Sequence, residues 1–309
     1  MAGLVAAVRA RELGRDVALY EKGDRAGGSM LLSSCVVWRF REFDDFRREC
    51  PRGDERLQRL IWERFDDAIE WLERTTGIEP VWDDTENPRT TGRRYDPRRL
   101  TVALVERAGA PRLNERFPPA EPLVLATGGF PVRFARERGL LVRSNPWSEG
   151  DGLDYARARG AALAGDLGEV YARAMPAPPA RVEETDFVRL AQLYGGRARV
   201  TGEQGEEFFP GPPAWHENDL AQAIARQPGG TAWFEVDGQR VHVIAGVTHT
   251  LGGLRVDERT RVLRDDGTAI EGLFAAGVDV GGIASGGYVS GLAQALVLGL
   301  TAAESAVDG

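Results

Sequence analysis

Residues 2–13 place apolar side chains at helical spacing (Leu4, Val5, Val8, Leu13), and Gly14 stands where a helix is commonly stopped. Val17-Ala18-Leu19-Tyr20 follows as a short continuous apolar run, the pattern of a buried parallel strand, and it ends in Glu21. A helix, a strand and a terminal acid make the second half of a βαβ nucleotide-binding unit. There the carboxylate accepts hydrogen bonds from ribose hydroxyls about 20 residues after the glycine turn, and Glu21 lies 18 residues after Gly3. The stretch predicts an α/β chain built on a parallel sheet.

The remaining pattern agrees. Residues 54–77 (Leu57, Leu60, Ile61, Phe65, Ile69, Leu72) and 98–107 read as amphipathic helices. Residues 123–126 read as a second buried strand running into Thr127-Gly128-Gly129, and 152–164 as a helix. Residues 176–215 are rich in Pro and Gly and read as loops, followed by a short helix at 220–226 and strands at 232–236 and 241–245. Residues 272–277 form a third strand-to-turn unit, and 291–306 a last helix. Glycine-bearing turns thus recur at Gly3, at 126–129 and at 277–287. Such turns let backbone N–H groups approach a pyrophosphate or a flat ring. One such turn is no more than a tight turn as often as not; three in this order, with Glu21, are a strong signal.

Charge and composition exclude other classes. A net charge of −8 gives no reason to expect nucleic acid or an anionic membrane as partner, and Lys22 is the sole lysine, so the basic residues are arginines. Three histidines and two cysteines, Cys35 and Cys50, make neither a metal motif nor a disulfide framework. The first residues are interrupted by Arg9 and Arg11, unlike a signal peptide, and residues 292–303 are too few to span a bilayer. The expected location is the cytoplasm.

The segments MAGLVAAVRARELGRDVALYEKGDRAGGS, LVLATGGF, GDGLDYARARGA, HTLGGLRVD, GLFAAGVDVGG and SGLAQALVLGLTAAE extend over nearly the whole chain. In that order the sequence resembles the fumarate reductase, succinate dehydrogenase flavoprotein and 3-ketosteroid dehydrogenase family. The resemblance implies a Rossmann-like FAD-binding domain, discontinuous over 1–174 and 249–309, with a shortened substrate-capping domain at 175–248. It also implies FAD as cofactor and places Glu21 at the adenosine ribose, with Lys22 beside it among the cofactor positions. Gly3 would close the glycine motif, and Gly27, Gly28, Ser29 and Ser33 would line the pyrophosphate and flavin. Thr127, Gly128 and Gly129 fall on the adenine side, and Asp279 on the ribityl chain. Ser290, Gly291 and Leu292 fall at the helix start facing the isoalloxazine. Each serine also reads as a helix cap or turn residue.

The expected activity is FAD-dependent oxidation or reduction of a CH–CH bond beside a carbonyl or carboxylate, on a small unsaturated acid or ketone, with the electron partner left open. His249 is the candidate for orienting substrate, and Tyr288 or Glu217 for handling the proton. A flavin-free nicotinamide dehydrogenase shares the βαβ signal but leaves GVDVGG and SGLAQAL unexplained.

Three departures from the family stand out. A full motif has a strand and two more glycines ahead of Gly3, so the sequence reads as truncated: the first strand is missing, two strand edges should be exposed, and cofactor affinity should fall. The alternative function is accordingly a catalytically incompetent fragment from a mis-called start or a degraded gene. Family arginines are absent too: Glu217 stands at one such position, Met175-Pro176 replaces a histidine–proline pair, and 281–299 contains no arginine. Finally, the links 107–122 and 237–241 look abbreviated, which predicts a smaller cap.

Overall fold

The computed structural model describes residues 1–308. α1 (Ala2–Glu12) opens the chain, and Gly14, with left-handed backbone (φ 79°), turns it toward β1 (Tyr20–Glu21). The single turn α2 (Gly28–Leu31), β2 (Val36–Phe40) and α3 (Phe43–Glu49) lead to the long α4 (Glu55–Thr76). The Asp54 carboxylate accepts from the Arg56 and Leu57 amides at the start of α4, and left-handed Gly77 ends it. β3 (Thr90–Arg94) pairs antiparallel with β2, and α5 (Pro97–Ala108) begins behind an Asp96 cap.

β4 (Arg112–Leu113) lies parallel to β1; β5 (Leu123–Leu125), α6 (Pro131–Arg138), β6 (Leu141–Val142) and α7 (Asp151–Arg157) follow. The helix expected over 152–164 stops at Arg157, because Gly160 turns the chain (φ 84°) into β7 (Leu163–Ala164). Next come β8 (Val170–Pro176), α8 (Asp186–Leu190), β9 (Arg199–Thr201) and α9 (Asn218–Ala225). β10 (Thr231–Val236), β11 (Gln239–Thr250), β12 (Gly253–Leu254), β13 (Arg261–Leu263), β14 (Ala269–Ala275) and α10 (Gly291–Asp308) complete the order.

The parallel body is in two pieces. β1 pairs with β4, while β5 pairs in parallel with β14, which also carries β13 antiparallel. β1 and β5 do not pair; residues 17–21 and 123–126 instead form two walls of one cavity. Val17–Leu19 therefore departs from the buried strand expected of it. It lies outside any strand, with Ala18 exposed, because a cavity stands where a second neighbour would bury it. α1 packs on α10 through small residues: a side chain at Gly299 would start 2.8 Å from the Ala2 carbonyl oxygen. That contact joins the two ends of the sequence.

The second sheet has the order β6-β11-β10-β9, with β8 antiparallel on β11. β10 and β11 form a hairpin through Asp237 and Gly238, both at positive φ (52° and 75°), as a two-residue turn of primed type requires. Ala172, Ala174, Val243, Ala245 and Val247 bury one face in the core with Leu220 and Ile224 of α9. Tyr171 and Arg173 alternate with those alanines and so emerge on the other face. The expected limits 174/175 and 248/249 fall inside β8 and β11, and the second sheet also takes in β6 at Leu141–Val142.

Candidate active site

A cavity of about 1280 Å³ runs from the gap between β1 and β5 to the exposed face of the second sheet. It exceeds the roughly 300–1,000 Å³ of an ordinary small-ligand site. At its first end stand Gly3 on α1, Glu21 at the end of β1, and Lys22. One Glu21 oxygen accepts from the Gly23 amide (2.8 Å), which fixes the carboxylate at the wall. Lys22 Nζ is held by Glu149 (2.6 Å) and Asp151 (2.7 Å).

Gly27, Gly28, Ser29 and Ser33 line the middle. Left-handed backbone at Gly27 (φ 109°) and Gly28 (φ 54°) turns the chain into α2. Ser29 Oγ accepts from the Asn145 amide (3.1 Å), and Ser33 Oγ donates to the Met30 carbonyl (2.8 Å), so both hydroxyls also tie the wall together. Ser290, Gly291 and Leu292 line the far end at the start of α10. Ser290 Oγ accepts from the Ala293 amide (3.2 Å), which makes it the cap of that helix.

Asp279 and Gly129 are placed elsewhere. The Asp279 side chain is 1% exposed and does not reach the cavity. Its carboxylate accepts from Thr127 Oγ1 (2.8 Å) and the amides of Thr127, Gly128 (3.3 Å) and Gly129 (3.2 Å). Burial raises its pKa, and those hydrogen bonds oppose the rise. Asp279 thus locks the glycine turn after β5, in place of the expected contact with a ribityl chain. Thr127 and Gly128 remain at the cavity wall.

Among the catalytic candidates, His249 and Tyr288 come together and Glu217 does not. A register shift between Val247 and His249 turns His249 opposite Tyr171. An extra residue in one strand re-aims a side chain in this way. The imidazole stacks on Tyr171 (5.0 Å, 28°), and Tyr171 stacks in turn on Tyr288 (4.6 Å, 12°). A side chain at Gly291 would start 3.2 Å from the imidazole, so glycine there lets the ring lie over the start of α10. Burial first, and then the Arg173 charge, lower the His249 pKa to about 4. The ring is neutral at pH 7 and offers one N–H donor.

The Glu217 carboxylate accepts from the amides of Gly195 (2.9 Å) and Gly196 (3.0 Å) and does not line the cavity. Its work is to shape the loop before β9, which replaces the proton-handling role expected of it. Met175 is fully buried in a small apolar cluster with Ala177 and Ile244.

Tyr171, Arg143 and Arg173 also line this end, and the sequence pattern did not single them out. The available signal was the alternation in Val170–Pro176, where a tyrosine and an arginine sit two apart within an otherwise apolar buried strand.

These residues suit a bound dinucleotide: an acid after a strand, left-handed glycines and a helix start all line the one cavity. On α1 the Cβ position of Gly3 lies 3.4 Å from that of Ala126, the close helix–strand approach that a glycine permits.

Comparison with known proteins agrees with this geometry. The FAD binding domain model matches residues 239–291, and the NAD(P)-binding Rossmann-like domain model matches residues 1–34. An NADH:acrylate oxidoreductase of Vibrio harveyi is 45% identical over 64 residues, which is 20% of this chain and 6% of that protein. Three solved structures align over 99% of the chain. The open conformation of a flavocytochrome c3 fumarate reductase does so at 18% identity and TM-score 0.76, over 76% of its own length. The 3-ketosteroid delta1-dehydrogenase of Sterolibacterium denitrificans gives 14% and 0.76, over 98% of its length. Mycobacterium smegmatis Sdh1 gives 20% and 0.70, over 67%. Identities this low speak for the fold, and the matched segments speak for the cofactor. No helix among the described residues is long and apolar enough to cross a membrane. Fold and cavity together give the chain the α/β fold seen in the flavocytochrome c3 fumarate reductase and 3-ketosteroid delta1-dehydrogenase structures, and the FAD binding domain match indicates FAD as the cofactor.

Proposed function

We propose that the protein oxidises or reduces a CH–CH bond beside a carbonyl or carboxylate. The observation that carries this reading is the stack of His249, Tyr171 and Tyr288 over the start of α10, at the end of the cavity opposite Glu21. Bound FAD supplies hydride acceptance or donation at its ring nitrogen. The chain supplies orientation and the proton. Neutral His249 donates one N–H to a substrate oxygen. Tyr288, whose ring faces Trp38 (5.4 Å) and Trp215 (6.0 Å), is the hydroxyl that gives or takes the proton at substrate carbon. Trp215 is held in place by its Nε1–H to Glu49 (3.1 Å).

Gly3, Glu21, Lys22, Gly27, Gly28, Ser29, Ser33, Thr127, Gly128, Ser290, Gly291 and Leu292 would hold the cofactor. In this reading the body formed by 1–174 with 249–309 would bind it and 175–248 would be the reduced cap, its sheet completed by β6 and the first residues of β8. Two free buried cysteines suit a reducing compartment, so a cytoplasmic location belongs to the same proposal.

The test is anaerobic. Protein reconstituted with FAD is photoreduced and mixed with small unsaturated ketones and acids, and flavin reoxidation and saturated product are followed. Reoxidation with stoichiometric product is expected. A flavin that stays reduced with every such compound overturns the reaction. Failure to retain FAD at all supports a catalytically incompetent flavoprotein instead.

A further inference from the structure

Two arginines enter the far end of the cavity from different strands, and neither is neutralised. Arg143 follows β6 and donates its amide to the Val247 carbonyl of β11 (2.9 Å); Arg173 lies on β8, across β11 and opposite Gly246. Gly246 lies between them: a side chain there would start 2.9 Å from Met175 Cγ and 3.4 Å from both Arg143 Cβ and the Arg173 carbonyl oxygen. Both arginines line the cavity with Tyr171, His249 and Tyr288.

Their hydrogen bonds go to neutral partners. Arg143 donates to Thr248 Oγ1 (3.1 Å) and to the Phe187 (2.6 Å) and Ala191 (3.2 Å) carbonyls, while its buried Nε has no partner among the described residues. Arg173 donates through Nη1 to Gln192 Oε1 and the His216 carbonyl, and its guanidinium lies 4.7 Å from the Tyr171 ring and 5.5 Å from that of Tyr288. These contacts fix the position of each fork without cancelling its charge. Burial, with the nearby Arg173 charge, draws the Arg143 pKa down. Two like charges held in an enclosed space are costly unless an anion joins them, and an arginine fork suits the two oxygens of a carboxylate. Tyr194, 70% exposed, and Trp215, 45% exposed, stand at the same end with apolar surface open to the cavity mouth.

We infer that Arg143 and Arg173 form the site for the carboxylate of an α,β-unsaturated acid whose flat apolar part lies toward Trp215 and Tyr194. The inference rests on the proposed CH–CH reaction and narrows it from carbonyl or carboxylate to carboxylate. It also relocates the charge. The two positions where the family pattern has arginines carry none here, and the cations come from β8 and the end of β6 instead.

The test is calorimetric titration of the full chain, supplied with FAD, using trans-cinnamate and the isosteric neutral cinnamamide. Cinnamate is expected to bind at least about tenfold more tightly, a ratio worth about 1.4 kcal/mol. Arg173→Gln and Arg143→Gln should each remove most of that preference while leaving the amide unaffected, and Arg173→Lys should restore part of it. Equal affinity for acid and amide, no binding of cinnamate, or unchanged preference in both Gln variants overturns the assignment. Should Arg173→Gln fail to fold, Arg143→Gln and Arg173→Lys carry the same comparison. The reaction itself fails separately: cinnamate would bind through the arginines, and photoreduced flavin in the same protein would not be reoxidised by it or by any ketone.

Discussion

The charge state of His249 gives a prediction with a definite sign. Its pKa falls from 6.5 in the unfolded chain to about 4 in the folded one, through burial and the Arg173 charge. Between those values the unfolded chain holds a proton that the folded chain does not. Stability from this residue is therefore complete above pH 6.5, declines as the pH falls, and is lost near pH 4. At about 1.4 kcal/mol per pKa unit the difference reaches about 3.5 kcal/mol as an upper figure. The ring keeps part of its surface toward the cavity, where water screens it, so about 2 kcal/mol is expected. The perturbation is His249→Gln, which keeps a polar side chain without the titration. Urea unfolding of both proteins from pH 7 to pH 4 measures it: the advantage of the native protein over the variant should shrink by that amount as the pH falls. Two curves that run parallel over the whole range would refute the reasoning, because the imidazole would then titrate alike in both states.

Asp279→Ala leaves the donors of Thr127, Gly128 and Gly129 without their acceptor, and should cost about 3 kcal/mol in urea unfolding. A variant of native stability that has lost only FAD binding would return Asp279 to the ribityl chain. Glu217→Ala should cost about 1–3 kcal/mol by freeing the Gly195 and Gly196 amides. Limited proteolysis should then cut in the loop before β9, and an unchanged digestion pattern counts against a loop-shaping role. Ser290→Ala removes the α10 cap and should lower stability by about 0.5–2 kcal/mol, read as a shift in the urea midpoint.

Features that depend on near neighbours along the chain are legible in its sequence alone. The periodicity of 54–77 lies between Asp54 and Gly77, and both ends of α4 follow from those two residues. Asp237-Gly238 between two apolar runs fixes the β10–β11 hairpin in the same local way. The acid that ends β1, the left-handed glycines and the start of α10 are equally readable, because each needs a particular residue at a particular turn.

What the sequence leaves open depends on partners far along the chain. Val17–Leu19 has the composition of a buried strand, yet only the tertiary arrangement decides that a cavity stands beside it. Asp279 carries a carboxylate suited to a ligand, and the fold delivers it to the amides of residues 127–129 instead. Arg143 and Arg173 meet only because β11 draws β6 and β8 to its two sides, and a one-residue register shift brings His249 to the same cavity. Local turns and helices are set by short-range sterics and hydrogen bonds, which the sequence states directly. The pairing of distant strands is set by which faces can be buried together, and that decides which side chains are left to face a substrate.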